Sequence, residues 1–348
     1  MYDVIVVGGE TIGLFLANKF AEKGYSVLLV ERKKETGDKV CSGLVSSSFL
    51  NLIEDDGGWV EKEFSGARIW IEEEFFDFKG KALLLNRKAL NGCLKKNALK
   101  KGVDFILGKD LTRAREERSF VEITLRNGEG ARGKILAGCD GANSIVAREV
   151  GLPAQGKFLL GVICYEEKRD EEGQKNDAPE LLFKKDFAGF FAWRIPRKDS
   201  IEWGTALPPS LFPGRKLRAF LDKMGIKVKK MSGALIPVSP RKKTVTKRCF
   251  LCGDSAGQIK PATGGGLIYG LLSAKIASEL IRPESPNTLL YEKSWRRKLE
   301  REIALGLFLK SCYRLPNFAK KIGISWLQRK NNLDQDNPST IFRNWRKN

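Results

Sequence analysis

The stretch GDSAGQIKPATGGGL, residues 253–267, decides the fold of this chain. It follows an apolar run at 249–252 that is typical of a buried strand, and it precedes an apolar segment reaching Ile281. The order strand, loop with one acid, helix is therefore predicted. Three glycines at the helix start leave backbone N–H groups open, and the positive helix end favours a negatively charged ring. A reduced flavin is such a ring, and Asp254 is placed to accept from its sugar-like hydroxyls; a glycine-rich helix start without a ligand is the alternative.

The first residues of the chain predict a complementary half-site for a dinucleotide. Residues 4–7 (VIVV) are typical of a buried parallel strand, and the turn GGETIG at 8–13 leads into a helix. A second predicted strand ends in Glu31, eighteen residues after Gly13 and near the ~20 at which an acid meets an adenosine ribose. Arg32 would lie against adenine or phosphate. Glu10 stands where the motif has glycine, so we expect its carboxylate to point away from the pyrophosphate.

Length and composition limit the possible classes of protein. The chain has 348 residues, of which 42% are hydrophobic, enough for two domains or one large domain with an insertion. No signal peptide or bilayer-spanning apolar run is expected, which predicts a cytoplasmic protein. There is no histidine, so Ser-His-Asp or Cys-His catalysis is excluded. We expect no metal site, reduced thiols for the seven cysteines, and a cofactor for any demanding redox step.

The net charge of +20 favours anionic partners. In residues 287–348, basic side chains outnumber acidic ones and alternate with the aromatic residues Trp295, Phe308, Trp326, Phe342 and Trp345. This pattern fits an amphipathic surface on anionic lipid; the alternative is a solvated helical face whose aromatic residues close the core. Nucleic acid is not expected as a partner, because no recognition motif accompanies the charge.

The middle of the chain predicts mostly strands. Residues 68–78 are strand-like, a helix opens at Arg87, and short strands follow to residue 137. The motif CDGANS at 139–144 is a third strand-to-helix turn, with Ser144 as a helix cap. Residues 159–238 predict a sheet with a charged loop at 166–177 and a short helix near 215–224.

These motifs together resemble flavoproteins of the p-hydroxybenzoate hydroxylase fold. Three of them resemble the geranylgeranyl reductase family, namely KVCSG at 39–43, FAWRIP at 191–196 and GDSAGQIKPATGGG at 253–266. The family has Tyr-x-Trp-x-Phe-Pro in its substrate sheet, so Phe191 and Ile195 depart from it, as Glu10 does from the dinucleotide turn. The likeness covers the chain to about residue 310.

The resemblance implies FAD as the cofactor and a set of residues that bind it. The pyrophosphate would meet Gly8, Ile12 and Gly13, and the adenosine would meet Glu31, Arg32 and the backbone of Leu111. The flavin and its ribityl chain would meet Cys41, Ser42, Gly43, Arg87, Asp254, Gly265, Gly266 and Leu267. Arg87 at a helix start and Leu111 in a core strand also have plain structural explanations.

The resemblance implies reduction of isolated carbon–carbon double bonds in geranylgeranyl chains of isoprenoid membrane lipids. Such an alkene has no carbonyl to polarise it, so one route protonates it to a tertiary cation-like centre that accepts hydride from reduced flavin. Phe191 and Trp193 would face that positive charge, or they would only pack in the core. The proton would come from Cys41, a water or the flavin.

Two other functions remain open from the sequence. An FAD-dependent monooxygenase of the same fold would act on an aromatic or apolar substrate, and a basic membrane-bound scaffold would have no activity. The electron donor is left open between ferredoxin, a nicotinamide and another soluble carrier. We expect peripheral contact with an anionic membrane surface on the inner face of the cell membrane.

The predicted fold class is α/β (α+β). A Rossmann-like FAD-binding domain would comprise residues 1–150, with a strand insertion near 60–80, and residues 245–285. An antiparallel β-sheet substrate domain would comprise residues 151–244, and a basic helical C-terminal region residues 286–348.

Overall fold

Two β-sheets form the frame of the molecule, which a computed structural model describes for residues 1–37, 39–53, 57–167, 177–330 and 336–340. In chain order the strands are β1 Tyr2–Val7, β2 Val27–Glu31, β3 Leu44–Ser46, β4 Val60–Ile71, β5 Glu74–Leu85, β6 Asp104–Leu107, β7 Leu111–Glu116, β8 Val121–Leu125, β9 Gly130–Gly138, β10 Phe158–Glu167, β11 Glu180–Phe183, β12 Ala192–Pro196, β13 Ser200–Leu207, β14 Met231–Pro237 and β15 Cys249–Leu251. The helices are α1 Thr11–Ala21, α2 Arg87–Lys100, α3 Ile145–Glu149, α4 Pro213–Lys223, α5 Leu267–Leu280, α6 Thr288–Cys312 and α7 Asn317–Lys330.

The first sheet has seven strands in the order β6-β2-β1-β9-β8-β7, with β15 also paired to β9. The strands β6, β2, β1, β9 and β15 run parallel, whereas β8 and β7 form an antiparallel extension. Residues of β1 from Val4 to Val7 are buried, which explains their continuously apolar sequence. Because the parallel strands end at one edge, the loops that follow β1, β9 and β15 meet there.

The second sheet has eight strands in the order β14-β10-β13-β12-β11-β4-β5-β3. Its pairs are antiparallel except β11 with β4. On one face it packs against α4, whose Leu217 and Leu221 are fully buried. The chain therefore contributes to this sheet from two separate segments, residues 44–85 and 158–237.

The last helices divide between core and surface. In α6, Tyr291 and Trp295 are fully buried against the first sheet, and Trp295 donates its indole N–H to Thr244 Oγ1 at 3.2 Å. Phe308, further along α6, is 59% exposed. The helix α6 therefore has buried aromatic residues in its first half and an exposed one near its end, and the predicted contact with lipid stays a prediction. No helix in the described ranges combines the length and apolarity needed to cross a bilayer.

The predicted α/β class, with a second largely antiparallel sheet and C-terminal helices, is confirmed. The single strand expected at 68–78 is wrong, because β4 and β5 form a hairpin that turns at Glu72, where φ is +50°. The sequence WIEEEFF lacks the glycine or asparagine that normally signals a tight turn, so nothing marked it. Residues 168–176 of the charged loop, and Phe342 and Trp345, lie outside the described residues. The domain boundaries stay a prediction.

Candidate active site

A cavity of about 280 Å³ lies between the edge of the first sheet where its parallel strands end and one face of the second sheet. Its lining includes ten of the sixteen residues predicted to bind cofactor or substrate: Ile12, Cys41, Ser42, Arg87, Phe191, Trp193, Asp254, Gly265, Gly266 and Leu267. The other six lie outside that lining: Gly8, Gly13, Glu31, Arg32, Gly43 and Leu111.

The turn after β1 depends on two glycines. Gly8 has φ +108°, and a Cβ built on it would lie 2.3 Å from the carbonyl oxygen of Cys139, which follows β9. A Cβ on Gly13 would lie 1.8 Å from the carbonyl oxygen of Gly8. Neither position has room for a side chain, so the turn presents bare backbone to the cavity end of the sheet.

Glu31 closes the same turn from β2. Its Oε2 accepts from the N–H of Gly9 at 2.6 Å, and its Oε1 accepts from the N–H of Lys33 at 3.0 Å. The carboxylate is thus fixed beside the turn by backbone donors, with the side chain of Arg32 exposed next to it. Leu111 is 4% exposed in β7, and the neighbouring Lys109 donates its N–H to the carbonyl of Glu31 at 3.2 Å.

Arg87, the first residue of α2, points into the cavity. Asn86 caps the helix by accepting from the N–H of Ala89 at 3.0 Å, so Arg87 is not needed for capping. Its Nη2 donates to Thr11 Oγ1 at 2.7 Å, whereas its buried Nε finds no hydrogen-bond partner among the described residues. A buried guanidinium N–H without a partner is costly, and an anionic ligand would satisfy it.

The carboxylate of Glu10 is held on the side of α2. It accepts from Asn91 Nδ2 at 2.7 Å and from the N–H of Lys39 at 3.1 Å, and it lies 3.9 Å from Arg87 Nη2. Asn91 had not been singled out from the sequence. Its position four residues after Arg87 places both side chains on one helix face, and that spacing was the available signal.

Lys39 and Asp254 form an ion pair of 2.5 Å across the cavity. Burial lowers the pKa of Lys39, but the attraction and hydrogen bond of Asp254 outweigh this effect, so that the pKa lies above its usual value. Gly266 lies against the same carboxylate, because a Cβ built on it would be 2.5 Å from Asp254 Oδ1. The sequence predicted Asp254 and Gly266 as site residues, but no pattern in it indicated that Lys39 pairs with Asp254.

The loop 260–266 presents its backbone to the cavity. Lys260 donates its N–H to the carbonyl of Gly265 at 2.8 Å, and Gly264 has φ +74°, so this segment is a tight turn. The helix α5 therefore begins at Leu267, later than the expected start near Gly264. Lys260 Nζ forms a buried ion pair of 2.7 Å with Asp336.

The loop of Cys41 and Ser42 crosses from the first sheet to the second. Both side chains line the cavity, and Gly43 has φ +75°, with its carbonyl accepting from the N–H of Leu85 at 3.0 Å. A Cβ on Gly43 would lie 2.7 Å from the Leu85 carbonyl oxygen, so glycine is required there. All seven cysteines are free, including Cys139 and Cys252 on the same lining.

The second sheet supplies the opposite wall of the cavity. Phe191 is 4% exposed and stacks on Phe190 with ring centroids 4.3 Å apart, so it both packs in the core and lines the cavity. Trp193 is half-buried, and its indole N–H donates to Glu202 Oε1 at 3.0 Å. The facing residue across the strands is Gly204, where a Cβ would lie 2.3 Å from the indole ring.

This geometry fits FAD. The glycine turn offers backbone that phosphates approach closely, the buried Nε of Arg87 suits an anionic acceptor, and the N-terminal end of α5 favours a negatively charged ring. Asp254 and Glu31 are carboxylates at two strand ends, where hydroxyl groups of a dinucleotide would be bound.

Comparisons with known proteins agree with FAD as the cofactor. The family described as FAD binding domain matches residues 1–162. The chain is 28% identical to digeranylgeranylglycerophospholipid reductase of Methanothrix thermoacetophila, over 89% of this chain and 87% of that protein. It is 29% identical to digeranylgeranylglycerophospholipid reductase 2 of Methanothermobacter thermautotrophicus, over 88% and 86% of the two chains.

Solved structures show the same fold. A geranylgeranyl bacteriochlorophyll reductase-like protein of Thermoplasma acidophilum superposes with a TM-score of 0.83 at 22% identity, covering 96% of this chain and 92% of the other. A probable FAD-dependent monooxygenase of Pseudomonas aeruginosa gives a TM-score of 0.73 at 15% identity, covering 93% and 99%. The chain therefore carries an FAD-binding domain in residues 1–162, has the fold of these solved structures, and is similar over most of its length to the digeranylgeranylglycerophospholipid reductases.

Proposed function

We propose that the chain saturates isolated carbon–carbon double bonds in the geranylgeranyl chains of an archaeal-type isoprenoid phospholipid or of its precursor. The observation that carries this proposal is one continuous cavity, which joins the cofactor loops of the first sheet to an apolar wall of the second. The names of the curated relatives support the same substrate class.

The cavity has a polar end and an apolar end. At the polar end, beside the cofactor loops, lie the charged side chains of Glu10, Arg87, Lys39 and Asp254. The wall from the second sheet consists of apolar residues and one acid: Leu44, Val45, Ala67, Ala82, Gly161, Ile163, Pro179, Glu180, Leu181, Phe191, Trp193, Ile195, Ala234, Leu235 and Ile236. The carboxylate of Glu180 is engaged by Trp70 at 2.7 Å and Arg194 at 3.1 Å. A hydrocarbon chain suits this wall better than a phenol, whose hydroxyl needs a polar partner.

We propose the following contacts between the chain and FAD. Gly8, Ile12 and Gly13 would form the pyrophosphate turn, Glu31 with Arg32 and the backbone of Leu111 would hold the adenosine, and Arg87 with Asp254 would bind phosphate and ribityl oxygens. Cys41, Ser42 and Gly43 on one side, and Gly265, Gly266 and Leu267 on the other, would enclose the ring.

Reduced flavin supplies the hydride for this reaction. The chain must stabilise the developing charge, exclude water and provide the proton. The faces of Trp193 and Phe191 would stabilise positive charge that develops on the alkene, each by ~0.5–2 kcal/mol. The apolar wall excludes water from the reacting carbon, and the proton comes from Cys41 or from a water beside it. We infer a soluble electron donor, either ferredoxin, a nicotinamide or another carrier.

Lipid mass spectrometry tests the proposed reaction. Full-length protein loaded with FAD and reduced by dithionite without oxygen should convert digeranylgeranylglycerophospholipid in detergent to products heavier by two hydrogens per saturated bond. The flavin should reoxidise at the same time. Oxygen consumption that depends on a nicotinamide and a phenol, without lipid reduction, would instead indicate a monooxygenase, and FAD-loaded protein that converts no lipid contradicts the proposal.

The role of the Cys41 thiol can be separated from that of a water. We expect a flavin-lining role, so Cys41→Ala should alter the visible flavin spectrum and lower turnover by less than about tenfold. Cys312→Ala, a substitution at a half-buried cysteine outside the cavity lining, is the matched control and should change neither. A loss of ~10²–10⁴-fold with FAD still bound would make the thiol the general acid.

Glu10 introduces a carboxylate where the dinucleotide motif has glycine. Its hydrogen bonds to Asn91 and to the Lys39 backbone draw it toward α2, and both donors reduce its repulsion of a nearby phosphate. We therefore propose that this carboxylate points away from the pyrophosphate.

Replacing Glu10 measures how close its charge lies to FAD. Glu10→Gly should change the Kd for FAD by less than about tenfold, or ~1.4 kcal/mol, in fluorescence titrations of the apoprotein. Glu35→Gly, at an exposed acid of the same domain, serves as the control. A tightening of more than tenfold would mean that the Glu10 carboxylate repels the pyrophosphate.

The helices α6 and α7 present an exposed apolar surface with basic neighbours. In α7, Phe318, Ile322 and Trp326 follow one another at four-residue spacing and are 68%, 67% and 42% exposed. Exposed basic side chains lie beside this surface, namely Arg314 between the two helices and Arg329 in α7. We propose that this surface docks on anionic lipid, which would bring the protein to its substrate.

Vesicle binding tests this docking. Binding to anionic vesicles should weaken steeply with added salt, because exposed charges are screened beyond ~10 Å at 0.1 M. Ile322→Glu should reduce binding further, whereas Leu99→Glu, at a 53% exposed position of α2, should not. Equal binding to neutral vesicles, or binding that salt does not affect, would contradict the proposal.

A further inference from the structure

We propose that Arg197 and Glu202 are positioning residues that couple Trp193 of the substrate wall to the Cys41–Ser42 loop beside the flavin. The inference rests on the proposed function for its meaning, since it assigns the wall to substrate and the loop to cofactor. The contacts themselves need neither ligand.

Glu202 holds two residues of the neighbouring strand and turn. It is fully buried in β13, where its Oε1 accepts from the Trp193 indole at 3.0 Å and its Oε2 accepts from Arg197 Nη1 at 2.8 Å. A buried carboxylate is stable only when it is paired and hydrogen-bonded, and both of its oxygens are so occupied. Removing either partner would therefore disturb the position of the other.

Arg197 connects three segments of the chain through one guanidinium. Its Nη1 donates to Glu202 and, at 3.0 Å, to the carbonyl oxygen of Ser42, while its Nη2 donates to Glu61 of β4 at 2.6 Å. The planar fork of arginine can reach several acceptors in fixed directions, whereas a lysine ammonium lacks that geometry. The Ser42 carbonyl is thus tied to the carboxylate that orients Trp193.

The Trp193 ring has little freedom to move on its own. Gly204 lies directly beneath it, and the indole N–H is held by Glu202. A half-buried indole normally keeps a partner for its N–H, so a shift of the ring must carry Glu202 with it or break that bond. Through Arg197 the shift would reach Ser42.

The flavin loop is otherwise anchored at its two ends. Lys39 binds Asp254 and the Glu10 carboxylate, and Gly43 pairs with Leu85. Between those ends, Arg197 binds the Ser42 carbonyl from the turn that joins β12 to β13 of the substrate wall. Arg197 therefore fixes the middle of the loop relative to that wall.

The experiment compares three variants of the FAD-loaded full chain. Arg197→Lys and Glu202→Gln should perturb the visible flavin spectrum and weaken FAD binding by about threefold or more, because each breaks the link to Ser42. Arg68→Lys is the matched control, since it weakens an arginine–carboxylate pair with Asp77 in the same sheet and should leave the flavin unchanged. These readouts need no lipid, so they stand even if the proposed reaction fails.

Coupling is measured with Trp193→Phe, which keeps a ring and removes the N–H. It should shift the flavin spectrum although it lies on the opposite wall, and combining it with Arg197→Lys should give non-additive changes in FAD affinity of about threefold or more. Additive changes, or folded variants with an unchanged flavin, would overturn the inference. If Arg197→Lys and Glu202→Gln fail to fold, the flavin spectrum of Trp193→Phe alone tests the coupling, and an unchanged spectrum overturns the inference.

Discussion

The carboxyl ends of β1 and β9 approach each other without side chains between them, and the rest of the site depends on this contact. Gly8 touches the backbone after β9, and Gly13 touches Gly8. A methyl group at either position would push the turn away from the sheet edge. Only with this turn in place can α1 begin at Thr11 and the loop of Asp254 lie beside it, with Ile12 packed against Gly253 and Gly270.

One lysine holds the two carboxylates at the cofactor end in place. The backbone N–H of Lys39 donates to Glu10, and its ammonium group pairs with Asp254, so a single residue binds carboxylates from two strand-end loops. The same residue begins the loop that carries Cys41. Fixing the charges therefore also fixes where that loop leaves the first sheet and crosses to the second.

Local patterns in the sequence predicted the elements of this site, but not the contacts between distant segments. The turn before α1, the acid of Glu31 and the glycines before α5 are each marked by residues close in sequence, because strand, turn and helix follow one another there. The Lys39 pair with Asp254 spans 215 positions, and the Arg197 bond to Ser42 spans 155. Such contacts depend on strand order and register, which no local pattern encodes. The hairpin of β4 and β5 was missed because its turn at Glu72 has no turn-forming residue.

The helix α6 connects the turn at residues 260–266 with the exposed apolar surface. Gly306 packs against Pro261, and the Tyr313 hydroxyl donates to the carbonyl of Ala262 at 3.0 Å, so the helix braces the turn that precedes α5. Phe308 lies between these two contacts and is exposed. A lipid with long isoprenoid chains is poorly soluble in water, so an enzyme that acts on it gains from placing its cavity close to the bilayer. Under the proposed docking on lipid, this one helix would both brace the turn at residues 260–266 and place its exposed aromatic residue at the bilayer.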